Sequence, residues 1–427
     1  ETGSTTTPAR AFLSTQGAEA GVLYFRIQRS AKSSLRAFDA NGASMNSLPS
    51  QMAQSLRSIG TESLEPLFPI DPRFEERMRR EGLDLWYVVR FNKQQDLQAA
   101  MQTLSSTPEI EYTEPVYEIA RPTGKAVAVD APRRSDAPAA PFDDPMLGDQ
   151  WHYNNTGRFP RSVAGADIGL FKAWEKETGK SNVIVAITDG GIDITHPDLK
   201  DNLFVNQKEL NGQEGVDDDG NGFIDDINGF NFIHNNGKIY PDDESHGTHV
   251  AGTVAARNNN GIGVAGIAGG DGTDGSGARL MSCQIFGGER EGGNSANAIV
   301  YSANNGAVIS QNSWGYIYKA NITAIPQSQK AAIDYFIKYA GCDKDGNQLP
   351  NSPMKAGNDG LDYRSFPGAY PPVVAVGSMA PDWKSAYYSN RGDWVDITAP
   401  GGDAHYPQGE VLSTLSKKIT GKDYGYM

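Results

Sequence analysis

The sequence predicts an α/β protein built on a doubly wound, mostly parallel sheet, preceded by a small α+β unit of ferredoxin-like pattern. Three observations carry this. From Asp143 onward, short apolar runs alternate with helical patterns, as parallel strands joined by crossover helices do. Those runs are apolar at successive positions rather than at alternate ones, which suits strands covered on both faces. Before residue 120 the order is instead βαββαβ with an extra helix, a small sandwich. The length of 427 residues agrees, because it exceeds the usual single domain.

Each element has its own justification. In residues 1–120, Val22-Leu23-Tyr24-Phe25-Arg26-Ile27 reads as a strand, 50–59 as a short amphipathic helix and 63–68 as a second strand. Residues 73–80 are charged and read as helix. Residues 85–91 are rich in β-branched and aromatic side chains and form the strongest strand signal of this part. Residues 96–104 are helical by period, and 110–117 close the unit as a strand. Residues 121–142 change character, with Pro122, Pro132, Pro138 and Pro141 among alanines and charges, and read as an exposed linker. Arg133-Arg134 within it is a candidate cleavage point or simply a solvated pair. In residues 143–427 the expected helices are 168–178, 246–257, 296–304 and 331–339. The expected strands are the run from Val183 to Ile187, then 280–286, 308–311 and 373–376.

Composition narrows the function. Lys and Arg total 38 against 52 Asp and Glu, a formal charge of −14. That balance argues against a nucleic-acid partner, which wants a basic face, and is compatible with hard cations. The two cysteines, Cys283 and Cys342, exclude a disulfide framework, and reduced thiols packed as small hydrophobes are the simpler reading. No apolar stretch approaches the ~20 residues of a membrane helix, so no transmembrane segment is expected. The chain begins at Glu1 without a leader, which reads as a start inside a longer reading frame with any export signal out of view.

Two motifs carry chemistry. Asp189 ends the run Val183-Ile184-Val185-Ala186-Ile187 and is followed by Gly190-Gly191-Ile192-Asp193; functional groups gather at such carboxyl ends of parallel strands. His246 opens the small-residue stretch His246-Gly247-Thr248-His249-Val250-Ala251-Gly252-Thr253, which reads as the start of a buried helix. An acid followed downstream by a histidine makes two-thirds of a nucleophilic triad. A separate acidic run, 217–226, spaces Asp217, Asp219, Asn221, Phe223 (through its backbone) and Asp225 as an EF-hand-type loop does, with Gly222 at the turn. Asn228 stands where the twelfth position would want Glu. Calcium is therefore the expected cofactor, with a solvated acidic loop as the alternative. Asp343, Asp345 and Asn347 echo the spacing weakly, with Gln348 at the turn.

Residues 143–427 resemble the catalytic domain of the subtilases, the subtilisin-like serine peptidases. The resemblance rests on Asp189 with Thr188 and Gly190, the Ser245 to Thr253 block, Asn312-Ser313-Trp314-Gly315, Ala356-Gly357-Asn358 with Gly360, and Ala399-Pro400-Gly401. Acid first and histidine second is the subtilisin order. Residues 1–120 resemble the inhibitory propeptides that precede such domains, which makes this chain's own N-terminal unit an expected partner.

The resemblance implies an endopeptidase of the zymogen type that acts on polypeptides and is exported to the periplasm, the cell surface or the medium. His246 would take a proton from a seryl hydroxyl and return it to the leaving amine, and Asp189 would fix the imidazole tautomer. Asn358 would supply an oxyanion donor. Ser313, Trp314 and Gly315 would form an edge for a peptide backbone, with Gly292 and Gly293 opposite; Trp314 reads equally well as core. His249 and His196 are expected to be structural, and Gly247 and Gly252 to allow close approach of the helix.

Two departures shape the expectation. The family's Gly-Thr-Ser-Met-Ala segment would follow Gly425-Tyr426-Met427, so these 427 residues are expected to lack the nucleophile and not to hydrolyse peptides alone. Residues 351–355, with Pro353 and Lys355, do not read as the buried strand expected before Asn358. The competing readings are a non-catalytic peptide-binding protein on the same fold and a calcium-dependent structural module. A binder has no need of Asp189 or His246.

Overall fold

The computed structural model describes residues 14–35, 47–121, 125–130, 141–287, 293–317, 320–343, 347 and 365–427. The chain divides into two compact units, residues 1–68, 82–118 and 317–328 in the first, and 69–81, 119–316 and 329–427 in the second.

Among its described residues the first unit holds a four-stranded sheet and helices that pack on it. Strands β1 (Ala18–Ile27), β2 (Thr61–Pro66), β3 (Trp86–Phe91) and β4 (Ile110–Tyr117) lie in the order β2-β3-β1-β4, and every neighbouring pair is antiparallel. Alternation drives the pairing. Leu23, Phe25 and Ile27 of β1 and Tyr87, Val89 and Phe91 of β3 enter one core. Leu23 sits across from Val89 and Phe25 from Tyr87, whose ring stacks on it at 5.7 Å between centroids. Helix α1 (Ser50–Ser58) buries Met52, Ala53 and Leu56. Helix α2 (Leu97–Ser105) buries Ala100, Met101 and Leu104, and Asp96 caps it by accepting the Ala99 N–H at 2.9 Å. The order βαββαβ is the one the sequence predicts.

The second unit is organised by a parallel sheet. Strand β5 (Ile119–Ala120) precedes the stretch that reads as linker, and β6 (Val127–Val129) lies within it, so that stretch is partly structured. The central strands are β7 (Ile184–Asp189), β8 (Gly229–Asn231), β9 (Arg279–Gln284) and β10 (Ile309–Asn312), ordered β10-β7-β9-β8 and all parallel. Helix α3 (His246–Ala255) follows β8, and helix α4 (Ser295–Asn304) joins β9 to β10. Val185, Ile187, Leu280, Ala251 and Ala255 meet in one core beneath α3. Smaller sheets follow: β11 (Gly315–Tyr316) pairs β5, β12 (Val376–Met379) pairs β13 (Ile397–Pro400), and β14 (Leu412–Thr414) pairs β15 (Tyr424–Tyr426), which also pairs β6. Helix α5 (Gln327–Tyr339) is longer than its predicted core of 331–339.

Three predicted elements differ. The helix expected over 168–178 is only Leu170–Trp174, because the Glu177 carboxylate accepts the N–H groups of Thr178 and Gly179 and turns the backbone out of the helix. The strand expected at 373–376 begins at Val376, since Val373 N–H closes a turn onto the Tyr370 carbonyl after Pro371-Pro372. Residues 69–81 group with the second unit rather than with 1–120. There Arg77 is buried, and its guanidinium bonds the Tyr335 hydroxyl at 2.7 Å and Asn304 at 2.9 Å. Cys283 is a buried free thiol on β9 as expected, while free Cys342 is half-buried. Residues 351–355, Asp345, Gln348 and Arg133-Arg134 lie outside the described residues. Among the described residues no helix is long and apolar enough to cross a membrane.

Candidate active site

Strand β7 ends on Asp189, which its own parallel ladder delivers to the carboxyl edge of the sheet beside Gln284 of β9. The carboxylate is fully buried and accepts the Gly190 N–H at 2.6 Å. His246 is the first residue of α3 and lies 57 residues further along the chain. Its Nδ1 meets Asp189 Oδ1 at 2.8 Å and Oδ2 at 3.0 Å. The acid and the imidazole are thus in direct hydrogen-bond contact.

Glycine makes that approach possible. A Cβ on Gly247 would fall 2.5 Å from the Gly191 carbonyl oxygen, and one on Gly252 would overlap the Thr414 hydroxyl. Asp242 then holds the helix start. Its carboxylate accepts the backbone N–H of His246 at 3.1 Å and of Gly247 at 3.3 Å, in place of a capping side chain at Ser245. Burial pushes the His246 ring towards neutrality, but the Asp189 charge, its hydrogen bond and the Asp242 charge outweigh burial and hold its pKa above the ordinary 6.5. With Nδ1 committed to Asp189, Nε2 is the nitrogen left for a proton from elsewhere.

Two neighbouring histidines are structural. His249, one turn on in α3, meets the Val411 carbonyl through Nε2 at 3.1 Å, and burial lowers its pKa to about 4. His196 accepts the Asp198 N–H at Nδ1 and meets the Asp423 carbonyl through Nε2 at 2.8 Å.

Of the edge predicted from Ser313, Trp314 and Gly315, the backbone pairing falls to Gly315 and Tyr316, which hold β5 in antiparallel register: Gly315 opposite Ala120, Tyr316 opposite Ile119. Ser313 accepts a hydrogen bond from Gln311 at 2.5 Å. Trp314 is buried, with its indole N–H on Asn312 at 3.1 Å, and is core. Directly after β5, Arg121 reaches Asp242 at 3.1 Å, Asp243 at 3.1 Å and Glu244 at 3.2 Å. Gly293 donates its N–H to the Ile285 carbonyl at 2.9 Å. Gly292 and Asn358 lie outside the described residues.

The acidic loop is differently arranged from its spacing. Asp217 accepts the N–H groups of Gly220, Asn221 and Gly222, and Asp225 accepts that of Gly215. These two carboxylates shape the turn. Phe223 is buried, with its N–H on the Asn221 side chain at 2.7 Å. The carboxylates that converge are Glu209, Asp219 and Asp226, with ligand-type oxygens within 4.8 Å of one another. Asn221 Nδ2 donates to Asp226 at 2.9 Å. Arg73 donates to Asp219 at 3.0 Å, and burial pushes the Asp226 carboxyl up to about 7. Of the three carboxylates among the predicted ligands, Asp219 joins this cluster and Asp217 and Asp225 do not. Glu209 and Asp226 lie outside the five-residue spacing, and their convergence is tertiary.

Comparison with known proteins identifies the family of the chain. The model described as "Subtilase family" matches residues 180–427, and that described as "N-terminal of Subtilase family" matches 30–157. The chain is 32% identical over 236 residues to "Subtilisin-like protease 1" of Plasmodium vivax, covering 51% of this chain and 35% of that protein. It is 29% identical to the "Thermophilic serine proteinase" of Bacillus sp. (strain AK1), covering 78% of this chain and 62% of that one. The chain thus spans about a third of the first relative and under two-thirds of the second. Fervidolysin from Fervidobacterium pennivorans, described as a keratinolytic enzyme related to subtilisin, shares the fold at TM-score 0.56 and 19% identity, over 97% of this chain and 53% of its own. The epidermin leader peptide processing serine protease of Staphylococcus aureus shares it at TM-score 0.53 and 16% identity, over 96% and 84%.

Proposed function

The chain belongs to the subtilase family, and we propose that it is a serine endopeptidase in which Asp189 and His246 are two members of an Asp-His-Ser triad. The observation that carries this is the 2.8 Å contact between Asp189 and His246 Nδ1 at the carboxyl end of β7. Asp189 orients the ring and stabilises the imidazolium. Nε2 accepts the seryl proton as the hydroxyl attacks a peptide carbonyl, and then returns it to the leaving amine. Asn358, by the family resemblance, supplies the donor for the developing oxyanion. The backbone edge of Gly315 and Tyr316 supports a polypeptide substrate held through its main chain, which is sequence-tolerant binding. The N-terminal unit, matched by the family's own N-terminal model, supports synthesis as a proenzyme, and an exported location goes with that reading.

The test is casein hydrolysis by the polypeptide as the cell produces it, together with labelling by a fluorophosphonate, which reacts with a seryl oxygen activated by histidine. Wild-type protein should hydrolyse casein and take the label, and His246→Ala should lose both. Undiminished hydrolysis by His246→Ala would overturn the proposal.

We further propose a structural calcium ion held by Glu209, Asp219 and Asp226. The donor set fits, since three converging carboxylates offer the hard oxygens this cation takes. Asn221 turns its amide N–H to Asp226 and Arg73 donates to Asp219, so a bound cation would take the place of these two donors at the carboxylates. Calorimetric titration should show binding that Glu209→Gln with Asp226→Asn abolishes. Equal binding by the variant would assign calcium elsewhere.

A further inference from the structure

We infer that the run Asp242-Asp243-Glu244 is a substrate subsite for a basic side chain, Arg or Lys, whose place is taken in this structure by the chain's own Arg121. The inference deepens the peptidase reading above and rests on it.

The first support is how Arg121 arrives. It follows β5, an extended segment paired antiparallel with Gly315 and Tyr316, and such pairing is how a peptide is held on a strand edge. A substrate laid on the same edge would carry one side chain to the place where Arg121 now points. The second support is what receives it. Three consecutive acids surround the guanidinium at 3.1–3.2 Å, and the Phe286 ring lies 6.0 Å from its Cζ. The Arg121 side chain is only 13% exposed, which is unusual for a cation in a connecting segment.

The acids divide into two kinds. Asp242 is buried and has a second duty, since it caps α3 through His246 and Gly247. Capping accounts for Asp242 alone. Asp243 and Glu244 are 87% and 38% exposed at their side chains, and both turn their carboxylates to Arg121. Once a chain segment leaves, the three acids stand beside the imidazole of His246 as an uncompensated negative field. A neutral side chain leaves that charge unanswered, and an acidic one is repelled.

The test uses internally quenched peptides that differ at one position at a time, carrying Arg, Lys, Gln or Glu. At one position near the cut bond, Arg and Lys should exceed Gln in kcat/KM by about 10-fold, the range of a charge-assisted contact to a buried carboxylate. The double variant Asp243→Asn/Glu244→Gln, which leaves the Asp242 cap in place, should reduce that preference several-fold, and Glu244→Arg should invert the order of Arg and Glu. Cleavage without basic preference, or preference unmoved by the double variant, overturns the subsite and leaves the peptidase reading standing. Absence of any cleavage sinks the peptidase reading instead. A second measurement then decides the subsite: Arg121→Gln should speed hydrogen exchange at the β5–β11 amides, with Arg121→Lys restoring protection. Unchanged exchange in Arg121→Gln overturns the inference.

Discussion

His246 and His249 sit one turn apart on one helix, yet their surroundings send them in opposite directions. Burial acts against the charged form of both. Asp189 reverses the effect at His246, whereas His249 faces a carbonyl and the His246 charge and drops to about 4. One ring is held ready to carry a proton and the other is kept neutral. Asp189→Asn should therefore lower casein hydrolysis by about 10⁴-fold at neutral pH with little change in KM, since the amide favours the wrong tautomer. A loss below 10-fold in steady-state kinetics would deny Asp189 its role. At this scale the sequence was readable where a motif is local: Asp189 ends an apolar run, and His246 opens a small-residue helix. Asp242 was not readable, because its cap acts from three residues before the usual capping position at Ser245 and its ion pair with Arg121 exists only when the segment after β5 meets the start of α3.

Helix α3 is placed by what its glycines omit. In an exposed helix Gly→Ala gains up to about 1 kcal/mol of propensity. Gly252 is buried against Thr414 and Ser413, whose hydroxyls would overlap a new Cβ. Gly252→Ala should accordingly lower stability by about 1–3 kcal/mol, the cost of overpacking, read as a reduced Tm in thermal unfolding. A rise in Tm would mean that propensity outweighs contact there. Strands with a clear apolar pattern were legible to within a few residues: the strand predicted over 110–117 is the observed Ile110–Tyr117, while that over 22–27 runs Ala18–Ile27 and that over 63–68 is Thr61–Pro66. Those decided by turns were not. Glu177 shortens one helix, the turn onto Tyr370 delays one strand, and the pairing of β6 with β15 orders part of a proline-rich stretch. The acidic loop shows the same limit, since spacing located the run while folding chose Glu209 and Asp226 to join Asp219.

Across the whole molecule, buried neutral histidines make stability depend on pH. His249 and His152 are both buried, with pKa values lowered by burial to about 4 and about 3. The unfolded chain binds protons at these rings near pH 6.5 and the folded chain does not, so the stability these two rings contribute is full above about 6.5 and falls as pH drops towards 4, while the buried carboxyls of Asp144, Asp198 and Asp226, pushed up to about 6, 8 and 7, act the other way. For His249 alone the shift is worth on the order of 3 kcal/mol at full extent. The Tm of His249→Gln with His152→Gln, taken relative to wild type, should therefore rise as pH falls from 6.5 to 4; a difference independent of pH would contradict both assignments. Calcium acts in the other direction, adding about 2.7 kcal/mol at a hundred times its Kd if it binds only the folded state. Chelation should lower the Tm of wild type and leave that of Glu209→Gln/Asp226→Asn unmoved.

The proton relay itself is most directly tested by following the His246 ring through a pH titration with nuclear magnetic resonance, in wild type and in Asp189→Asn. The wild-type ring should titrate above 6.5 and the variant ring below it, because removing the carboxylate leaves burial as the largest remaining influence. Equal midpoints in the two proteins, or a wild-type ring that stays neutral down to pH 5, would contradict the pairing.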